Sequence, residues 1–192
     1  MHTEIEKDRL VDESTGTRFF VITGGPGSGK STLIDALAQR GFGIMREAGR
    51  VIIQDQVAIG GAALPWADRR AFAELMLGWE MRSYRDALKL SGPVIFDRGV
   101  PDVLGYLRLS GLPVLPHVEN AARIFRYHPR VFIAPPWPEI FRPDAERKQS
   151  IEEAQATYEV LAETYTSLGY ELLPLPLDSV EKRVQFVLAA VG

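Results

Sequence analysis

Cysteine is absent from all 192 residues, which excludes disulfides, a thiol nucleophile and thiolate metal sites and makes a cytoplasmic address the expectation. Long apolar runs are missing as well: nowhere do about 18 such residues stand in succession, as a membrane helix would need. Neither sign of charge prevails. With 22 Lys and Arg against 25 Asp and Glu, the formal charge of −3 offers no basic footprint, and nucleic acid is not an expected partner. Histidine is scarce, and His117 and His128, with no recognisable ligand partner nearby, read as surface or capping residues rather than metal ligands. What is present is a globular composition, 46% hydrophobic and 24% charged, with enough chain for a full core.

Apolar runs alternate with longer helical patterns, the signature of an α/β protein with a mainly parallel sheet. Strands are predicted near residues 17–23, 42–45, 93–97, 130–135 and 170–175, each apolar enough to be covered on both faces. A long helix is predicted from about Ala67, with Phe72, Leu75, Met76 and Trp79 apolar and Arg69, Arg70, Glu74, Glu80 and Arg82 polar. A second runs from Ile151 to about Leu168, capped by Gly169, and a last one starts after Asp178 or Ser179 with Val184, Val187 and Leu188 turned inward. Residues 1–16 read as a flexible leader, and 17–192 as a single domain.

One motif carries specific chemistry. GGPGSGKST, from Gly24 to Thr32, matches G-x-x-x-x-G-K-[ST], with apolar FFVIT before it and amphipathic TLIDALAQR after it. Strand, glycine loop and helix in that order make a phosphate cradle, in which backbone N–H groups converge at the positive end of a helix dipole. Gly24, Gly25, Pro26, Gly27, Ser28, Gly29, Lys30, Ser31 and Thr32 are therefore expected to bind a nucleoside triphosphate, taken as ATP. Lys30 would reach the β and γ phosphates and Ser31 would ligate Mg²⁺.

Two carboxylates are candidates for the other half of the chemistry. Asp97 ends the predicted strand PVIFD, where ligands of open α/β sheets bind, and could take a proton from a hydroxyl or hold Mg²⁺ directly or through water. Alternatively, it caps the next helix while Arg98 pairs locally. Glu47, in IMREAGRVII between Arg46 and Arg50, could orient a hydroxyl or a metal-bound water, with the arginines binding an anionic substrate. The amphipathic helix after it would contain Val51, Ile52 and Val57. These patterns do not decide which carboxylate is the base. Arg98 and the i,i+4 pair Asp102 and Tyr106 join Arg46 and Arg50 as candidate substrate-binding residues. The segment PPWPEIFRPDAERKQ, residues 135–149, has the position and charge of a closing lid near 136–149. Arg147 is its expected catalytic cation, Arg142 a nucleotide contact and Lys148 a third basic group.

Taken together, GGPGSGKST, REAGR, DRGVPD, IFRPDAER and LGYELLPLPLDSVEKRVQF resemble the small AAA-type P-loop ATPase domain family grouped with NadR-like kinases and Ttd14-like proteins, over roughly residues 17–190. The resemblance implies a three-layer α/β/α fold of nucleoside/nucleotide-kinase type, with a five-stranded parallel sheet in order 2-3-1-4-5 and a lid. It places Gly29, Lys30 and Ser31 around the phosphates and metal, Glu47 and Asp97 on the acceptor side, and Arg147 in the lid. An N-K-x-D segment and an L-S-G-G-Q segment are both missing, against a signalling GTPase and a transporter ATPase. The leading functional expectation is a Mg²⁺-dependent kinase passing the γ-phosphate of ATP to a hydroxyl or phosphate of a small-molecule acceptor. The alternative is a regulatory ATPase or GTPase, or a nucleotide-dependent module that engages protein or lipid.

Overall fold

The computed structural model describes residues 16–140 and 150–192. Five parallel strands, β1 (Phe19–Gly24), β2 (Gly43–Met45), β3 (Val94–Asp97), β4 (Arg130–Ala134) and β5 (Glu171–Pro174), lie in the order β2-β3-β1-β4-β5. The helices are α1 (Lys30–Ala38), α2 (Gly49–Ile59), α3 (Arg69–Ala87), α4 (Val100–Leu109), α5 (Pro116–Ile124), α6 (Ile151–Ser167) and α7 (Val180–Val191). Among the described residues, no helix is long and apolar enough to cross a membrane.

Side-chain alternation along the strands divides the core into two layers. Phe19 and Val21 of β1, with Val94 and Phe96 of β3, pack against Leu77, Tyr84, Leu104 and Tyr165 on one side. Phe20 and Ile22, with Ile95 and Phe132, pack against Leu33, Leu37, Val184 and Val187 of α1 and α7 on the other. Such two-sided burial is why the central strands read as continuous apolar runs rather than alternating ones. Helix boundaries follow from local chemistry. Asp68 accepts a hydrogen bond from Ala71 N at 2.9 Å to start α3, and Ser150 and Glu153 form a reciprocal capping box at the start of α6. Gly169, at φ 83°, closes the end of α6.

Several expectations about helix faces are corrected. Leu75 and Val57, assigned to apolar faces, are exposed at 41% and 59%. Glu80, assigned to the solvated face of α3, is buried at 5% exposure, because it stands four residues after Met76 and four before Tyr84 in the inward stripe. Trp79 is half-buried against the small cluster of Ala48, Ile52 and Phe72. The leader reading falls outside the described residues except at Gly16.

Candidate functional site

The loop after β1 curls because its glycines take conformations other residues avoid: Gly24 at φ 130°, Gly27 at 69° and Gly29 at 73°. A Cβ on Gly24 would also collide with the carbonyl of Ala134 on β4, and one on Gly29 would lie 2.7 Å from Nη1 of Arg183. Inside the loop, Ser28 Oγ donates to the Gly25 carbonyl at 2.8 Å, and Lys30 Nζ donates to the same oxygen at 2.6 Å and to Ser28 Oγ at 3.3 Å. Burial, aided by the nearby Arg98 cation, brings the Lys30 ammonium down to about 8. A cleft of about 610 Å³ opens over this loop, lined by residues 26–32 together with Glu47, Arg50, Arg98, Trp137 and Arg183.

Arg183 was not anticipated as a site residue. It lies on α7 at 2% exposure and donates through Nη1 to the carbonyls of Ser28 and Gly29, at 3.1 and 3.3 Å, with its guanidinium 5.6 Å from the centre of the Trp137 ring. The available signal was its place in the apolar stripe with Val180, Val184 and Val187, where a cation is costly unless it has polar work to do.

At the carboxyl end of β3, Arg98 takes a left-handed conformation at φ 76°, the one non-glycine residue at positive φ among those described. Its Nε lies 3.3 Å from Glu47 Oε1 and its Nη1 3.2 Å from Asp102 Oδ1. Burial alone would lower the Arg98 pKa, but Glu47, Asp102 and Asp97 outweigh it and hold the cation. Asp97 itself is 5% exposed, and its Oδ1 has no hydrogen-bond partner among the described residues. Burial first, then the Glu47 charge, pushes its carboxyl up to about 6.

Asp102, expected at the substrate, is a junction of the scaffold. It accepts from Thr23 Oγ1 at 2.6 Å, Tyr165 OH at 2.6 Å, the Gly99 N–H at 3.0 Å and Arg98 at 3.2 Å. The carboxylate that caps the next helix is thus Asp102 and not Asp97. Asp102→Ala is expected to destabilise the fold by about 3–5 kcal/mol, since it leaves three buried donors without their acceptor and Arg98 with Glu47 as its remaining partner. Urea unfolding checks this.

A second cavity, about 350 Å³, adjoins the first. Ile53, Trp66, Phe72, Met76, Tyr106 and Leu161 line it, together with the carboxyls of Glu47, Glu80 and Asp102. Glu47, Arg98 and Pro26 belong to the walls of both cavities, whereas Asp97 lines neither. The structure therefore brings together Glu47, Arg98, Asp102 and Tyr106 around the second cavity, and Arg50 and Ser31 around the first. Arg46 is not among them: its guanidinium pairs with Asp35 of α1 at 2.7 Å, with both side chains more than half exposed. Arg142, Arg147 and Lys148 lie outside the described residues. His117 pairs with Glu74 at 2.9 Å, and no cluster of metal-binding type occurs among the described residues.

Among curated proteins, none matches this sequence. Solved structures do match. Deoxyadenosine kinase from M. mycoides, with dCMP and dCDP bound, superposes with a TM-score of 0.64 at 14% identity, covering 90% of this chain and 97% of that one. Thymidylate kinase from Ehrlichia chaffeensis superposes with a TM-score of 0.63 at 14% identity, covering 92% of this chain and all of the other, 100%. At such identity the likeness is one of fold, and it is the P-loop nucleotide-kinase fold with sheet order 2-3-1-4-5. A family model described as an AAA domain matches residues 19–183, from the first strand through the buried arginine of α7. Carrying that match across most of its length, and the glycine loop at the edge of its central strand, the chain belongs to the AAA domain family.

Proposed function

We propose that this protein is a kinase that transfers the γ-phosphate of ATP to a small-molecule acceptor held in the second cavity. The observation that carries this reading is the shared wall: Glu47 and Arg98 face the phosphate-loop cleft and the adjoining cavity at once. A residue so placed can meet a donor phosphate and an acceptor oxygen together, which is the positional requirement of phosphoryl transfer. With a hydroxyl acceptor, the proton goes to Glu47, the acceptor oxygen bonds to the γ-phosphorus, the bond to the β-phosphate oxygen breaks, and ADP leaves. Lys30 neutralises the phosphates, and Arg98 steadies Glu47. Mg²⁺ suits the same cleft: Ser31 stands in its wall and would hold the ion, the buried carboxyl of Asp97 at the end of β3, whose Oδ1 has no hydrogen-bond partner among the described residues, would be the second holder, and the ion would offset the charge of the phosphates. The structural neighbours support the reading, since both are kinases of nucleosides or nucleotides by name.

The test follows acceptor phosphorylation and acceptor-independent ATP hydrolysis separately, over a metabolite panel. Hydrolysis with no acceptor phosphorylated would turn the reading toward a regulatory NTPase. A pH profile adds a second check. The Lys30 ammonium is the competent form and is held down to about 8 in the free protein, so kcat/KM for ATP is expected to fall as pH rises past about 8.

A further inference from the structure

Granted the transfer reading, the second cavity narrows the class of acceptor. Its wall is largely apolar, and Glu80 of α3 and Tyr106 of α4 are among the polar residues that interrupt it. Glu80, 5% exposed, is one of the residues of the wall. The hydroxyl of Tyr106 is buried and makes no well-formed hydrogen bond among the described residues, although the Ser110 side chain lies near enough to interact with it. The Tyr106 ring meets Phe72 edge-on at 5.5 Å, and Trp66 adds a third aromatic surface. This is the composition of a slot for a planar ring: apolar faces and a few placed polar groups for its edge.

The charges in the wall bear on the rest of the acceptor. Among the described residues, Glu47, Glu80, Asp102 and Glu153 face Arg69 and Arg98. Arg98 is already engaged by Glu47 and Asp102, and Arg69 donates its Nε to the Pro65 carbonyl at 3.0 Å. A phosphate monoester on the acceptor would add close to two negative charges to a wall that already carries Glu47, Asp102 and Glu153. Burial, reinforced by Asp102, pushes the Glu80 carboxyl well above the ordinary range, toward the protonated form that can both donate and accept.

We propose that the acceptor is a hydroxyl compound carrying no phosphate of its own, and that Glu80 and Tyr106 recognise it by hydrogen bonds to the polar edge of a planar ring. The inference rests on the transfer reading and adds to it a substrate class and two specificity residues. Both lie on regular helices, α3 and α4.

The experiment pairs each common ribo- and deoxyribonucleoside with its 5′-monophosphate and measures γ-phosphate transfer from labelled ATP to each. The unphosphorylated member of a pair is expected to win by about 100-fold in kcat/KM. Glu80→Ala and Tyr106→Phe should each raise the acceptor KM, the first by about tenfold or more, with the KM for ATP moving much less. Glu80→Gln keeps a donor and an acceptor in the same volume and should stay within about threefold of wild type, which separates recognition from misfolding. Preference for a 5′-monophosphate, or an acceptor KM unmoved in Glu80→Ala, overturns this inference while leaving the kinase reading intact. Transfer to neither member of any pair overturns this inference as well, and the kinase reading falls only if the wider metabolite panel also yields no phosphorylated acceptor.

Discussion

Glu47→Gln is expected to lower the rate of phosphoryl transfer by about 10²- to 10⁴-fold while leaving ATP affinity nearly unchanged, the effect of removing a general base that binds no phosphate. The expectation turns on the unequal positions of two carboxyls that looked interchangeable in the sequence. Glu47 lines both cavities, and its side chain is 23% exposed and paired with Arg98. Asp97 lines neither cavity, and its carboxyl is pushed up to about 6 by burial and by Glu47 itself. Glutamine keeps the volume of Glu47 and one acceptor for Arg98, and Asp102 still holds the guanidinium, so the site should stay assembled. Asp97→Asn is the internal comparison. If it abolishes transfer while Glu47→Gln keeps it, the base has been assigned to the wrong residue; a fall in both that is rescued by raised Mg²⁺ only for Asp97→Asn would assign Asp97 to the metal instead.

What could be read in the sequence, and what could not, follows from the range over which the physics acts. The five strands and the loop were legible because each is dictated locally. Two-sided burial imposes a continuous apolar run, as in FFVITG, and the loop demands glycine at positions with positive φ. Glu80 and Arg183 were missed because charge normally marks the solvated face of a helix, and here both sit in the inward stripe. Helical spacing from Met76 and Val187 pointed inward, and the residue type pointed outward. Where those two signals conflict, the buried polar residue is a candidate for function. Arg46 failed for the opposite reason. Its neighbour Glu47 reaches the cleft, but Arg46 turns toward Asp35, a partner 11 positions away in the chain and brought near only by the packing of α1 beside β2. Asp102 was expected on the substrate side because it shares a helix with Tyr106, and it does line the second cavity, but its carboxyl is also a junction of the scaffold. Its four hydrogen-bond partners come from β1, α6 and the turn before α4, and no local pattern records that convergence.

Lys30→Met should cost transfer on the order of 10²- to 10³-fold, comparable to the loss of one preorganised electrostatic group from a dry site. It should do so while the protein becomes more stable. Lys30 is 7% exposed, and its depressed pKa means that the folded state binds this proton less well than the unfolded chain does. Folding stability therefore rises with pH between about 8 and the unperturbed value of 10.5, and at neutral pH the charged lysine is a liability that methionine removes. The gain has a ceiling of roughly 3 kcal/mol, less whatever the lost hydrogen bonds contribute. The loop does not depend on Lys30 alone for its shape, since Ser28 Oγ still donates to the Gly25 carbonyl and Arg183 still holds the carbonyls of Ser28 and Gly29. A higher melting temperature together with lost transfer would identify Lys30 as a group kept for the phosphates at the expense of stability. A lower melting temperature with transfer lost in proportion would reduce it to a brace of the loop, and the assignment of the phosphate chemistry would have to move to Arg183.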